Sequence, residues 1–263
     1  MIFSVKLKRA LFAIVACAAF LSGTIVMGAT GAAEVYFGGT VKKVPIYSVE
    51  RSDNKIAISF DCAYGADYTE KLLDVMDEYD VKCTFFCVEF WTRKFPDMVK
   101  KISARGHEIG THSKTHPNMP ALTEAKIEEE LVSSSEAIES ITGKKVELFR
   151  APYGDYDDKT LAVAKKAGLY TVQWDVDSID WKNISAKEIV RRVTSRVKSG
   201  SIILCHNQGL HTAEALPYIL SNLKEKGFEF VPIGELIYKN DYFIDSRGVQ
   251  RKTVGKSSLF KGR

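Results

Sequence analysis

From Lys55 to Tyr238, short apolar runs alternate without a break with amphipathic segments of helical period. That alternation commits the chain to a parallel sheet with helical crossovers. The spacing predicts strands over Ile56–Phe60, Cys83–Val88, His107–Thr111, Val146–Phe149, Tyr170–Trp174, Ile202–Cys205 and Phe228–Pro232. Between them, Thr69–Tyr79 sets Leu72, Leu73, Met76 and Tyr79 on one side, and Pro96 starts a segment that ends at Gly106. Glu124–Thr142 repeats Ile127, Leu131, Ile138 and Ile141 and stops at Gly143. Ser185-Ala-Lys-Glu188 is a capping box that opens a helix running to Lys198, and Pro217 is expected in the first turn of a helix ending at Gly227. About seven such units with no internal linker point to a single-domain α/β fold, a distorted (β/α) barrel of about seven parallel strands. An open doubly wound sheet is the alternative.

The ends of the chain read differently. Lys6, Lys8 and Arg9 precede an uncharged stretch from Ala10 to Ala33, which is an export signal or a retained membrane anchor across residues 1–33. In both cases the body of the chain lies outside the cytoplasm. Residues 34–54 read as a linker or lead-in, and the barrel occupies 55–239. The tail, 240–263, is expected to be disordered; from Arg247 to Arg263 it carries Arg247, Arg251, Lys252, Lys256, Lys261 and Arg263 and no acidic residue. A net charge of +4, with no basic stripe interleaved with aromatics, argues against a nucleic-acid partner. Cys83, Cys87 and Cys205 read as small buried thiols.

The residues with chemistry follow the strands. Asp61 comes after Ile56–Phe60, His112 after Thr111, Arg150 after Phe149, Asp175 after Trp174 and His206 after Cys205. In a βα-barrel the C-terminal ends of all strands open on one face, so these side chains converge, and packing alone needs none of them. His112-Ser-Lys-Thr-His116 has the i, i+4 spacing that sets two imidazoles on one side of a helical turn, able to share a divalent ion. His107, inside a strand, reads as a hydrogen-bonded core histidine, and His211 as a loop or helix-start residue. Asp155, Asp157 and Asp158 suit the cap of the next helix.

The series Ser59-Phe-Asp-Cys62, His112-Ser-Lys-Thr-His116, Arg150-Ala-Pro-Tyr-Gly154, Asp177-Ser-Ile-Asp-Trp181 and Ile203-Leu-Cys-His206 resembles the five motifs of the polysaccharide deacetylases, the NodB-homology group or carbohydrate esterase family four. Leu148-Phe-Arg-Ala-Pro-Tyr-Gly-Asp155 and Val231-Pro-Ile-Gly-Glu-Leu-Ile237 look most like its sporulation-associated PdaB-like branch. The resemblance implies Asp61 as general base, with Arg150 pairing and fixing it. It implies His112 and His116 as metal ligands, and the Tyr153 main-chain N–H as an oxyanion donor. It further implies Asp180 as the carboxylate that keeps His206, the general acid, protonated. Trp181 and Leu204 match walls of the groove and acetyl pocket. Asp175 or Asp177 could contact His206 instead of Asp180, but the Asp-Trp pairing favours Asp180.

Such a set suits amide hydrolysis, which needs an activated water, a stabilised oxyanion and a proton for the departing nitrogen. One position departs from the pattern. The family's second aspartate, its third metal ligand, is Cys62 here. A Cys-His-His set would favour Zn²⁺ over harder ions, and a non-ligating Cys62 would leave two histidines alone. The expected activity is removal of N-acetyl groups from peptidoglycan or a related N-acetylglucosamine polymer, in sporulation or cell-wall modification. The alternatives are a carbohydrate-binding pseudoenzyme and an O-acetyl polysaccharide esterase.

Overall fold

A computed structural model describes residues 43–253, together with the backbone of Gly23–Met27 and Ala33–Phe37. The chain divides into two units, residues 1–42 and 43–263. In the first, β1 (Gly23–Met27) pairs antiparallel with β2 (Ala33–Phe37). The rest of the segment read as an export signal or anchor lies outside the described residues. Among the described residues no helix is long and apolar enough to cross a membrane.

The second unit opens with β3 (Ser48–Val49) and continues through β4 (Lys55–Cys62), α1 (Thr69–Glu78), β5 (Thr84–Cys87), α2 (Glu89–Lys94) and α3 (Pro96–Ala104). Next come β6 (Glu108–Thr111), α4 (Glu124–Thr142), β7 (Leu148–Phe149), α5 (Asp158–Lys166), β8 (Tyr170–Thr171) and β9 (Val176–Asp177). The chain then forms α6 (Ala186–Thr194), β10 (Ile202–His206), α7 (Thr212–Glu225), β11 (Glu229–Phe230), α8 (Ile233–Leu236) and the hairpin β12 (Tyr242–Ile244)–β13 (Val249–Lys252). The main sheet is parallel, in the order β8-β7-β6-β5-β4-β10-β9, with β11 paired to the start of β4. The order follows the chain from β4 to β8 and returns to β4 through β9 and β10. That is the winding of a distorted barrel; an open doubly wound sheet would reverse at an interior switch point.

Strand alternation divides the apolar side chains into two layers. Ile56, Ile58, Phe60, Phe85 and Phe149 pack outward beneath the helices, while Ala57, Phe86, Leu148, Val172 and Ile202 fill the barrel. Gly110 is fixed by this interior. A Cβ there would lie 2.6 Å from the Phe86 ring and 3.0 Å from the Leu148 carbonyl oxygen.

The helix ends follow local chemistry. Thr123, Asp157 and Ser185 cap α4, α5 and α6 by accepting from the N–H of Lys126, Thr160 and Glu188, and α4 stops at Gly143 in the left-handed region. Pro217, by contrast, lies inside α7 and not in its first turn. The helix starts earlier because the Thr212 hydroxyl donates to Asp180 at 2.6 Å, a tertiary bond that fixes its first residue.

The segments before and after the barrel are both joined to it or to each other. The lead-in is stitched to the barrel: Ile46 bridges Val172, and the Val49 N–H donates to Gly200 O at 2.9 Å. The tail is ordered through Lys252, where β13 runs parallel to β3. The Gln250 side chain is buried, with Oε1 accepting from Tyr238 N–H (2.8 Å) and Nε2 donating to Tyr238 O (2.7 Å). Arg251 is paired by Asp245 and Glu50, so the local excess of positive charge is neutralised from elsewhere in the chain. The remaining tail, 254–263, lies outside the described residues.

Candidate active site

Register builds the site. β10 pairs with β4 so that His206 stands opposite Asp61, and β5 and β6 continue that row with Phe86 and Gly110. Its members share the inner face of the sheet, and His112 and Arg150 follow β6 and β7 at the same rim. The next row, Cys62, Cys87, Thr111 and Phe149, points the other way, into the layer beneath the helices.

Asp61 is almost fully buried, and Arg150, wholly buried, donates from Nη1 to its Oδ1 at 2.8 Å. A second guanidinium nitrogen, Nη2, donates to Gln173 O at 3.2 Å, while the plane lies over the Phe86 ring with Cζ 4.1 Å from its centroid. Burial alone would make Asp61 harder to ionise. The charge of Arg150 outweighs it and holds the carboxyl below its ordinary pKa.

His112 Nδ1 lies 2.8 Å from Arg150 O, a bond that places the ring proton on Nδ1 and leaves Nε2 as a lone-pair donor 3.5 Å from Asp61 Oδ2. The rings of His112 and His116 are 4.9 Å apart, edge to face. They do not share a helical turn, as the i, i+4 spacing suggested. The segment is a loop in which Ser113 (φ 74°) and His116 (φ 58°) are left-handed. Buried Glu130 of α4 staples it, accepting from the N–H of Lys114 (2.8 Å) and Thr115 (2.7 Å) and from the Thr115 hydroxyl (2.7 Å). Ser113 Oγ accepts the His116 N–H at 3.0 Å. Burial and then the neighbouring His112 lower the His116 pKa to about 4, so its ring is neutral near pH 7.

On the other side, Asp180 is fully buried at the start of a short 3₁₀ turn. Its Oδ1 lies 2.7 Å from His206 Nδ1, and its Oδ2 accepts the His206 N–H at 2.8 Å and the Thr212 hydroxyl at 2.6 Å. Burial works against the imidazolium, but the Asp180 bond and charge overcome it and raise the His206 pKa. Asp175 and Asp177 are committed elsewhere. Asp175 accepts from Ile202 N–H and Ser201 Oγ, and Asp177 from Ile179 N–H.

Tyr153 is left-handed (φ 59°), with its exposed ring 4.6 Å from that of His116. Trp181 is exposed with Lys182 Nζ over its ring, and Leu204 is buried on the inner face of β10, two residues before His206. His107 is a core residue, its Nδ1 accepting the Cys83 N–H at 3.3 Å, and His211 precedes α7 beside Glu214.

The donors for a metal are incomplete. His112 Nε2 and the buried, unpartnered Nδ1 of His116 suit a divalent ion. Cys62 does not join them: its thiol is buried on the opposite face, donating to Phe60 O at 3.9 Å beside its register partner Cys87. Burial first, and then Cys87, push that thiol well above its ordinary pKa. Among the described residues no group of three histidine, cysteine or acidic side chains is gathered to hold a metal. Two donors fit and the third does not.

Glu130 and Asn207 were not anticipated from the sequence. Glu130 stands three residues after Ile127 on the apolar stripe of α4, so a charge at a core position was the available signal. Asn207 Nδ2 donates to Gly65 O and Thr69 Oγ1, both at 3.0 Å, and no sequence pattern marks it.

Residues 48–172 match the polysaccharide deacetylase family model. The chain is also similar to a peptidoglycan-N-acetylglucosamine deacetylase of Bacillus cereus, 35% identical over 200 residues that span 74% of this chain and 93% of the relative. The chain belongs to the polysaccharide deacetylase family. A second family relative is the uncharacterised protein YlxY of Bacillus subtilis. It is 35% identical over 193 residues, 73% of this chain but 60% of that protein, so the chain spans less than two thirds of its length. Among solved structures the fold is similar to a family pseudoenzyme from Bacillus anthracis, with TM-score 0.71 and 33% identity over 73% of this chain and 68% of that one. A mutant of that protein, described as having restored enzymatic activity, superposes equally well at 34% identity over 73% and 71%.

Proposed function

We infer that the protein removes N-acetyl groups from peptidoglycan or a related N-acetylglucosamine polymer, acting outside the cytoplasm on the cell or spore wall. The observation that carries this reading is the pairing of His206 with Asp61 across β10 and β4, each fixed by its own buried partner. One group is held as a carboxylate by Arg150 and the other as an imidazolium by Asp180. A base and an acid with environments that push their pKa values apart are what amide hydrolysis requires.

In this reading Asp61 takes the proton of the attacking water, and Arg150 keeps its carboxylate ionised and oriented. His206 gives a proton to the departing nitrogen, which would otherwise leave as an amide anion. The Tyr153 N–H would donate to the oxyanion, Leu204 would wall the acetyl methyl, and Trp181 would flank the sugar. His112 and His116 are the side chains that would hold a divalent metal, and zinc is an ion that imidazole ligands suit. Such an ion, when bound, supplies Lewis acidity toward the carbonyl and the water.

The position of Cys62 favours a second reading, a glycan-binding protein without turnover. Acetate release from peptidoglycan and chitooligosaccharides, with and without added Zn²⁺, separates the two when Cys62→Ala and Cys62→Asp are run beside the wild type. Activity in the wild type that survives Cys62→Ala supports deacetylation without the thiol. A silent wild type with an active Cys62→Asp supports the second reading.

A further inference from the structure

The rim of the site carries two exposed aromatic rings to which the proposed reaction assigns no part. Tyr64, in the loop after β4, is 69% exposed, and Phe90, in the first turn of α2, is 40% exposed. Their ring centroids lie 6.1 Å apart, and the Tyr64 ring is 6.5 Å from that of His116. Tyr153 also meets the His116 ring, at 4.6 Å, and the Tyr64–Phe90 pair extends from that imidazole.

The frame beneath them is rigid. Trp91, beside Phe90 but buried, donates from Nε1 to Gly65 O at 2.6 Å, and Asn207 Nδ2 donates to the same oxygen at 3.0 Å. The Tyr64 loop is thereby tied to α2 and to the residue after His206. The Glu89 N–H donates to Ser113 O at 3.0 Å, which ties α2 to the histidine loop as well. Gly65 is left-handed (φ 63°), and a Cβ there would meet the Gln208 side chain at 2.7 Å, so the tight turn that presents Tyr64 is specified by the chain.

Two large rings held in water on a braced frame lose the burial that usually stabilises an aromatic side chain, which marks a surface meant for a ligand. A two-residue ridge is far too small for a stable protein interface of about 1,000 Å² or more. It does suit a sugar ring, whose C–H face is apolar and whose rim is hydroxylated. We propose that Tyr64 and Phe90 form a sugar subsite next to His116, which stacks a neighbouring ring of the polymer and makes the protein prefer long glycans to short ones. This rests on the glycan-deacetylase reading and adds a length requirement to it.

The test is calorimetric binding of chitooligosaccharides from two to six sugars, and of amidase-treated peptidoglycan strands, in EDTA so that turnover is suppressed. The wild type is expected to bind the longest oligomers at least tenfold tighter than the disaccharide. The double variant Tyr64→Ala/Phe90→Ala should lose that tenfold gain while keeping its disaccharide affinity within twofold, and Tyr64→Phe, which retains the ring, should keep the gain. Both residues are at the surface, so an unchanged melting temperature certifies the fold. Wild-type affinity independent of length, or a double variant that binds long oligomers as the wild type does, overturns the subsite and leaves the deacetylase reading standing. A wild type that binds no glycan of any length overturns both.

Discussion

Asp180 binds His206 twice, through the ring nitrogen at 2.7 Å and through the main-chain N–H at 2.8 Å. One carboxylate thus sets both the position of the strand end and the charge of the imidazole. Burial would lower the His206 pKa, and Asp180 raises it past the ordinary value of about 6.5. The sign follows. A raised folded pKa means that the imidazolium, and the stability it contributes, is fully present below the unfolded value and is lost as pH climbs through the folded one. Asp180→Asn removes the raising partner and leaves burial in place. The alkaline limb of the pH–rate profile should therefore move to lower pH, and the maximum rate should fall about 10²–10⁴-fold as the acid is lost. The His206 ring titration followed by NMR should move in the same direction. An alkaline limb unmoved by Asp180→Asn would assign the proton donor to another group.

The Asp61–Arg150 pair predicts a stability effect apart from activity. Both groups are buried, so removing one leaves the other as an uncompensated charge, at a cost of about 3–5 kcal/mol. Arg150→Met should lower the unfolding free energy measured in urea by that amount, seen as a lower midpoint at unchanged m. Asp61→Asn/Arg150→Met, in which neither charge remains, should recover more than half of the loss. Additive losses in the double variant would show that the guanidinium acts mainly through its packing on Phe86.

Glu130 should act on the histidines without touching a substrate. It accepts three hydrogen bonds from a loop whose two left-handed residues would otherwise relax. Glu130→Ala is expected to weaken metal binding about 10–100-fold, the usual effect of losing a partner that orients ligands. Glu130→Gln, which keeps an acceptor, should lose less. Equilibrium dialysis with Zn²⁺ measures this directly. Equal affinity in wild type and Glu130→Ala would show that the loop holds its shape through Ser113 alone.

The barrel was legible because its signals are local and repeated: seven apolar runs, five of them followed by a segment of helical period, leave few topologies. Asp61, His112, Arg150 and His206 were legible because strand ends converge in that topology. What the sequence hid depends on contacts distant along the chain. The left-handed backbone at Ser113 and His116 is imposed by Glu130 from another helix, so their spacing imitates a helical turn. The tail reads as unpaired positive charge because Asp245 and Glu50, which neutralise Arg251, lie outside the basic stretch Arg247–Arg263. The face on which Cys62 falls was hidden for a different reason. It depends on the parity of β4 continuing through Cys62, and a motif match aligns residue types without fixing their direction.

That parity yields the last prediction. Cys62, Cys83, Cys87 and Cys205 are all fully buried, and burial is the largest cause that pushes the thiols of Cys62, Cys83 and Cys205 well above their ordinary pKa. The reactive species of a cysteine is its thiolate, so all four should resist an aromatic disulfide reagent in the native protein and react after unfolding in urea. Mass spectrometry of the labelled peptides assigns each site. Added Zn²⁺ should leave the Cys62 peptide unchanged, because the thiol already packs against Cys87 on the face opposite His112 and His116. Cys62→Asp should then be costly, placing a carboxylate among Phe60, Phe85 and Cys87 at about 1–3 kcal/mol or more, whereas Cys62→Ala should cost less. A Cys62 that labels readily in the native protein, and is protected by Zn²⁺, would instead place its thiol among the metal donors.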